Sequence, residues 1–425
     1  MVADDAAGWW RRTFAALEVR NFRLFFFGQL ISNSGNWLTT VAVTLLVLHR
    51  SHSGVAVGLL SACMFGPMLV LSPWAGVIAD RSDKQRLLYV TQSLEMAQSA
   101  TLAALAFRPA VPLWSFFAVS FAGGCMLAFD NPGRRSFVNE MVPPRLVPNA
   151  VTLYSGLVNL SRLIGPTIGA ALIVAVGFGW CFTIDAASYV TVLTALAMMR
   201  RRELRATPRT PRGRGQVRAG VRHVLDVPEL RVTFAMLLVI GVLSYNFTVV
   251  FPLLVERALH GSDAQFSLLY AVFSAGAVVG TLAVARRSQV RLRTIVASAA
   301  AFGATMIGLA SAPGMPAAYP LVALVGATSV AYMTATTALA QLRADDTMVG
   351  RVLALQTAVM IGTTPVGGPL LGLLADGAGG RAPVILGGVA AIGAAAVGVL
   401  LGRHRLGVGG AVVAAAAPDA ARETG

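Results

Sequence analysis

The sequence predicts an all-α membrane protein: twelve transmembrane helices in two pseudo-symmetric six-helix bundles. Two observations carry this. Hydrophobic residues make up 56% of the 425, with a mean hydropathy of +0.69, more apolar surface than a soluble core could hide. Apolar runs of about 20 residues, enough at about 1.5 Å per residue to cross about 30 Å of hydrocarbon, recur along the whole chain.

Segment 1–21 is a cytoplasmic lead-in whose Trp9, Trp10, Arg11 and Arg12 suit an interface and which lacks a signal peptide's small-residue cleavage pattern. The spans of the first bundle, 22–199, run over 22–48, 54–79, 86–107, 111–130, 148–176 and 179–199. An Arg- and Pro-rich linker, 200–228, follows, and in it Val217, Val221, Val224 and Leu225 share one face of an amphipathic helix suited to the membrane surface. The second bundle, 229–402, repeats the pattern over 229–256, 264–285, 293–312, 316–341, 350–375 and 382–402. The tail, 403–425, is low in complexity and is expected to be disordered.

Charge sets the orientation. The segments on the N-terminal side of the membrane hold 28 Arg and Lys, whereas the opposite loops hold four, Arg50, Arg108, Arg257 and Arg381. Basic residues concentrate in cytoplasmic loops, so both termini are expected in the cytoplasm of a multi-pass protein of the plasma or bacterial inner membrane. The net charge of +15 is therefore a topology signal and not a nucleic-acid footprint. Cys63, Cys125 and Cys181 stand singly in apolar runs, the five His are scattered, and no HExxH or phosphate-binding loop occurs. No metal, cofactor or enzymatic activity is expected.

The halves resemble each other. "LLVLHRSHSGVAVGLL" from Leu45 aligns with "LLVERALHGSDAQFSLL" from Leu253, and "LIGPTIG" from Leu163 with "VGGPLLG" from Val366, at offsets of 208 and 203 residues. Such parallel duplication places a substrate cavity between two halves.

Four stretches carry a narrower resemblance. "GVIADRSDKQRLL", 76–88, resembles the signature loop between spans two and three of the major facilitator superfamily, filled here by Gly76, Asp80, Arg81, Lys84 and Arg86. "SRLIGPTIGA", 161–170, resembles the Gly-Pro motif of its proton-coupled antiporters, with Gly165, Pro166 and Gly169 in place but Ser161 and Ala170 where Gly is frequent. "NFRLFFFGQLISNSGNWLTTVAV" and "DNPGRRSFVNEMVPPRLVPNA" look like the twelve-span drug:proton antiporter subgroup that includes macrolide and enterobactin exporters. The resemblance implies a secondary active efflux transporter of drug-, antibiotic- or siderophore-like molecules, probed by multidrug resistance, with small molecules, protons and the bilayer as its partners. Uptake by the same fold is the alternative, and a non-transporting sensor or scaffold is the alternative of another class.

The resemblance also implies roles. Asp80 would latch the halves on the cytoplasmic side by capping the start of span eleven, with Asp130 at similar depth pairing Arg81 or Arg86. The alternative role for the loop is interface anchoring. The Gly-Pro element would kink span five, pack it closely against a neighbour and prevent leak.

Charges inside spans are costly and so informative. Glu95 lies about 14 Å from the cytoplasmic side and Arg162 about 20 Å, so depth makes them a pair, while Asp185 lies nearer the outer face. These three are the candidates for proton coupling. Glu95 held ionised by Arg162 would be a poor carrier, which puts Asp185 ahead. In span one Gln29, Asn33 and Asn36 recur at helical spacing as a candidate cavity wall. Many relatives of this subgroup carry an acid at the Asn36 position. Asn does not titrate, so coupling here must use another carboxylate.

Overall fold

The structure, a computed structural model, describes residues 13–205, 216–285, 291–345 and 347–406. Most of the lead-in, the Arg-Pro stretch of the linker and most of the tail therefore lie outside the described residues. The first half comprises α1 (Arg20–Ser51), α2 (Gly54–Arg81), α3 (Lys84–Ala106), α4 (Trp114–Met141), α5 (Val147–Val176) and α6 (Phe178–Ala197). After α7 (Gln216–Asp226) come α8 (Pro228–Leu243), α9 (Phe247–Arg257), α10 (Asp263–Ala285), α11 (Leu292–Ala310), α12 (Met315–Arg343), α13 (Val349–Ala378) and α14 (Ala382–Leu406).

Among the described residues ten helical stretches are long and apolar enough to cross a membrane, α8 and α9 together forming one of them. The other two expected spans, α3 and α4, are long helices, but Lys84, Arg86 and Glu95 in one and Asp130, Arg134, Arg135 and Glu140 in the other lower their hydropathy. The seventh expected span is broken at 244–246, where Ser244 Oγ donates to Gly387 O at 2.7 Å and Asn246 Nδ2 to Val242 O at 2.7 Å. These side chains occupy carbonyls around the break, as a membrane interior requires.

Turn chemistry explains the short connections. Ser53 caps α2 by accepting from Ala56 N at 3.3 Å, and Asp83 caps α3 by accepting from Arg86 N at 3.0 Å. Four described residues have positive φ: His52, His260, Gly177 and Gly379. The two histidines follow the first and seventh spans 208 residues apart, and the two glycines precede the sixth and twelfth 202 residues apart. The left-handed turns thus repeat within one residue of the sequence offsets, 208 and 203.

Packing repeats as well. α1 packs on α5 and α6, α2 on α4 and α3 on α6, and the second half matches with α8 on α13 and α14, α10 on α12 and α11 on α14. Two seams join the halves, α2 with α13 and α5 with α10. Along the first seam the backbones touch: a Cβ on Gly58 would lie 2.4 Å from Gly368 O, and one on Gly372 2.1 Å from Gly54 O. Small residues permit this approach. Large apolar side chains such as Trp74, Val174, Leu373 and Leu401 point outwards, as a bilayer allows.

The amphipathic helix α7 is less superficial than its pattern suggests. Val224 is buried with Leu230, Phe234, Ala340 and Val352, which ties α7 to α8, α12 and α13, while Val221 and Leu225 remain exposed. The side chain of Val217 lies outside the described residues.

Candidate functional site

The polar stripe of α1 extends further than Gln29, Asn33 and Asn36, because Ser32 and Thr39 continue it at three- and four-residue spacing. It faces α3, α4 and α6, and there it joins a polar network inside the first half. Asp130 and Arg134, four residues apart on α4, form an ion pair with both side chains buried. Arg134 Nη1 also donates to Gln29 Oε1 at 3.0 Å and Asn33 Oδ1 at 2.9 Å. Asp130 Oδ1 accepts from Thr91 Oγ1 at 2.7 Å and from Gln92 Nε2 at 2.9 Å. Gln92 Nε2 lies 3.2 Å from Glu95 Oε2, so one amide links two acids.

Asp185 forms the second centre. It is fully buried, and Oδ2 accepts from Thr39 Oγ1 at 2.6 Å and Ser99 Oγ at 2.7 Å, while Oδ1 lies 3.4 Å from Ser188 Oγ. Its hydrogen-bond donors are thus hydroxyls from α1, α3 and α6. Hydroxyls can donate to a carboxylate or turn to accept from a carboxylic acid, so this shell can satisfy Asp185 in either state. Gly35 leaves the room: a Cβ there would lie 2.4 Å from Asp185 Oδ1. One turn away, Asn36 Nδ2 donates to Tyr189 OH at 3.2 Å.

Three pairings expected from sequence are replaced. Asp130 binds Arg134, whereas Arg86 sits beside Asp83 at 3.7 Å, so neither Arg81 nor Arg86 takes Asp130. The physical reason is that α4 continues to Met141, which carries Asp130 into the helix interior instead of leaving it at the span's end. Glu95 does not meet Arg162. Arg162 lies on the other side of α1, its Cζ 5.1 Å from the centroid of the Trp37 ring. Similar depth suggested the pair, but helix rotation turned the two apart.

The signature loop is tied down within its own half. Lys84 Nζ lies 2.5 Å from Glu140 Oε1, both side chains nearly buried, and Gln85 Nε2 donates to Leu196 O at 2.7 Å. Arg81 is exposed and Gly76 half-buried, and the side chain of Asp80 lies outside the described residues. In the Gly-Pro motif, Gly165 meets α1, where a Cβ would lie 2.5 Å from Ser34 O, and Gly169 meets Leu38. Pro166 sits within α5.

A second constellation, not anticipated from sequence, closes the end of the bundle that bears His52. Asp376 of α13 caps α2 of the other half: Oδ1 accepts from Gly54 N at 2.6 Å, and Oδ2 from Val55 N at 3.0 Å and Ser53 Oγ at 2.9 Å. Arg257 Nη1 lies 2.8 Å from Asp376 Oδ1, and its Nη2 donates to His52 O at 2.7 Å. His49 Nε2 lies 3.1 Å from Asp263 Oδ1. An acid at a helix N-terminus and an Arg on that acid are each favourable, and together they join the halves. Among the described residues no cluster of three or more metal-ligating side chains occurs.

Comparison with known proteins agrees with this architecture. Residues 11–418 match the family described as transmembrane secretion effector. The chain is 26% identical to the staphyloferrin A transporter of Staphylococcus aureus, over 61% of this chain and 66% of that one, just under two thirds of its length. It is 23% identical to macrolide efflux protein A of Streptococcus pyogenes, over 84% and 91% of the two chains, and 26% identical to the multidrug efflux pump Tap of Mycolicibacterium fortuitum, over 87% and 94%. In fold it is similar to an inward-facing bacterial homologue of the human lysosomal transporter Spinster, with a TM-score of 0.71, 13% identity and coverage of 91% and 97%. The chain belongs to the transmembrane secretion effector family of the major facilitator superfamily.

Proposed function

We propose that this protein is a secondary active exporter of small organic molecules that works by alternating access and proton antiport. The carrying observation is the asymmetry between the ends: the bonds of Asp376, Arg257 and His49 fasten the halves at the His52 end, while exposed polar side chains stand at mid-height on α5. That is the arrangement of a carrier closed at one gate. The basic-residue bias makes the His52 end the outer one and both termini cytoplasmic. The halves, 22–199 and 229–402, rock about their two seams, with the linker and Asp80 on the cytoplasmic side. No enzymatic step is part of this reading. The names of the relatives, efflux proteins for macrolides and for several drugs, support export.

Proton coupling rests on Asp185, a buried acid whose hydroxyl shell suits both protonation states. The test is overproduction in a drug-sensitive bacterium. Resistance to at least one compound, with lowered intracellular accumulation that a protonophore restores, is the expected result. Raised accumulation would assign uptake instead.

A further inference from the structure

Arg162 is a buried-depth cation with an open side chain. It is the sixteenth of the 30 residues of α5, about 20 Å from either end. Its side chain is nevertheless exposed, as are those of Ser155 and Asn159, which lie seven and three residues before it on the same helix face. A lipid-facing surface would not carry such a stripe. The neighbours of Arg162 come from both halves, Trp37 from α1 and Ser274, whose Oγ lies 3.4 Å from Arg162 O, from α10. The stripe therefore borders the space between the halves.

Among the described residues, no acid balances this charge. Tyr270 and Arg135 are the titratable groups that act on Arg162, and neither is an anion near neutral pH. Arg135, on α4, is also exposed. The three acids that lie inside spans, Glu95, Asp130 and Asp185, are all buried in the first-half network, bonded to Gln92, Arg134, Thr39 and Ser99. The free charge bordering the space between the halves is thus positive.

We propose that Arg162 is an anion-binding subsite for the transported molecule, with Trp37 as an aromatic wall and Arg135 as a second cation nearby. The substrate class it fits is an amphipathic organic acid, with its carboxylate on the guanidinium and its apolar body against the ring. A guanidinium matches a carboxylate through two parallel hydrogen bonds, and an aromatic ring already holds its plane. This rests on the exporter reading and narrows it.

Binding separates the two. The full chain in zwitterionic liposomes is titrated with naphthalene-2-carboxylate, the matching naphthylmethylamine and the matching naphthylmethanol, followed by tryptophan fluorescence. The carboxylate should bind at least about tenfold more tightly than either analogue, Arg162→Gln should abolish that preference, and Arg162→Lys should keep part of it, since Lys retains the charge without the fork. Equal binding of all three by the unaltered protein, or the same preference in Arg162→Gln, would overturn the subsite. Should Arg162→Gln fail to fold, the unaltered protein's own ranking and Arg162→Lys still decide it. The exporter reading is judged separately by drug accumulation: export of cations or neutral compounds with no carboxylate preference would sink the subsite alone, and a carboxylate preference without export would sink export alone.

Discussion

The carboxylate of Asp376 accepts from the backbone N–H of Gly54, 322 residues earlier, at 2.6 Å, so the last turn of α13 caps the first turn of α2 across the two halves. The signature loop places Asp80 at the other end of α2, where the family resemblance gives it the same task towards the start of α13. Helix pair α2 and α13 thus carries an acid at each end for the N-terminus of the other, one observed and one proposed.

Removing the observed cap should favour the outward-open state. Helix caps contribute about 0.5–2 kcal/mol, so Asp376→Ala should shift the balance between states by about two- to thirtyfold. Labelling of a cysteine placed at Val55 by a membrane-impermeant reagent should accelerate accordingly. Unchanged labelling would mean that the cap does not hold the gate.

At the opposite end, Asp80→Asn keeps size and deletes charge, and it should cut transport while leaving membrane abundance intact. Lys84 serves as the contrast, because its near-buried bond to Glu140 joins α3 to α4 within one half. Leaving one member of a buried pair alone costs about 3–5 kcal/mol, so Lys84→Ala should lower abundance and thermal stability. Loss of protein in Asp80→Asn would assign anchoring to that residue too.

The Gly-Pro element makes a packing prediction. With Ser34 O only 2.5 Å from the position of an added Cβ, Gly165→Ala should force α5 off α1 and destabilise by about 1–3 kcal/mol, read as a lower unfolding temperature. An unaltered unfolding temperature with a new proton leak would instead favour the leak-preventing role that the resemblance implies.

Orientation is checked by reporters. Fusions near Gly215 and Gly409 should be cytoplasmic and those near Gly261 and Gly379 external. An external reporter at Gly215 would overturn the two-by-six arrangement.

Much of this was legible because hydropathy and repeat offsets record helices and turns directly. The span expected at 54–79 is the helix Gly54–Arg81, and the 208-residue offset read from two leucine runs returns in the turns at His52 and His260. Partners were less legible. Sequence gives a residue's height in a helix but not the direction it faces once packed, so Glu95 was matched to Arg162 by depth while Arg134, counted only as a loop charge, binds Asp130. Thr39, Ser99 and Ser188 had a readable signal, since each lies three or four residues from Asn36, Glu95 or Asp185. Asp376 had none, because it joins segments more than 300 residues apart whose meeting depends on the closure of the two halves.

The most direct test of proton-driven export is uphill transport in proteoliposomes with an imposed proton gradient, using a compound to which overproduction gives resistance. The unaltered protein should concentrate it only when the gradient is present. Asp185→Asn should lose that accumulation yet still exchange substrate downhill, because Asn can keep the bonds to Thr39 and Ser99 but cannot carry a proton. Full accumulation by Asp185→Asn would contradict the assignment, and if Glu95→Gln then lost it, Glu95 would be the carrier; accumulation intact in both would contradict coupling through either of these two acids.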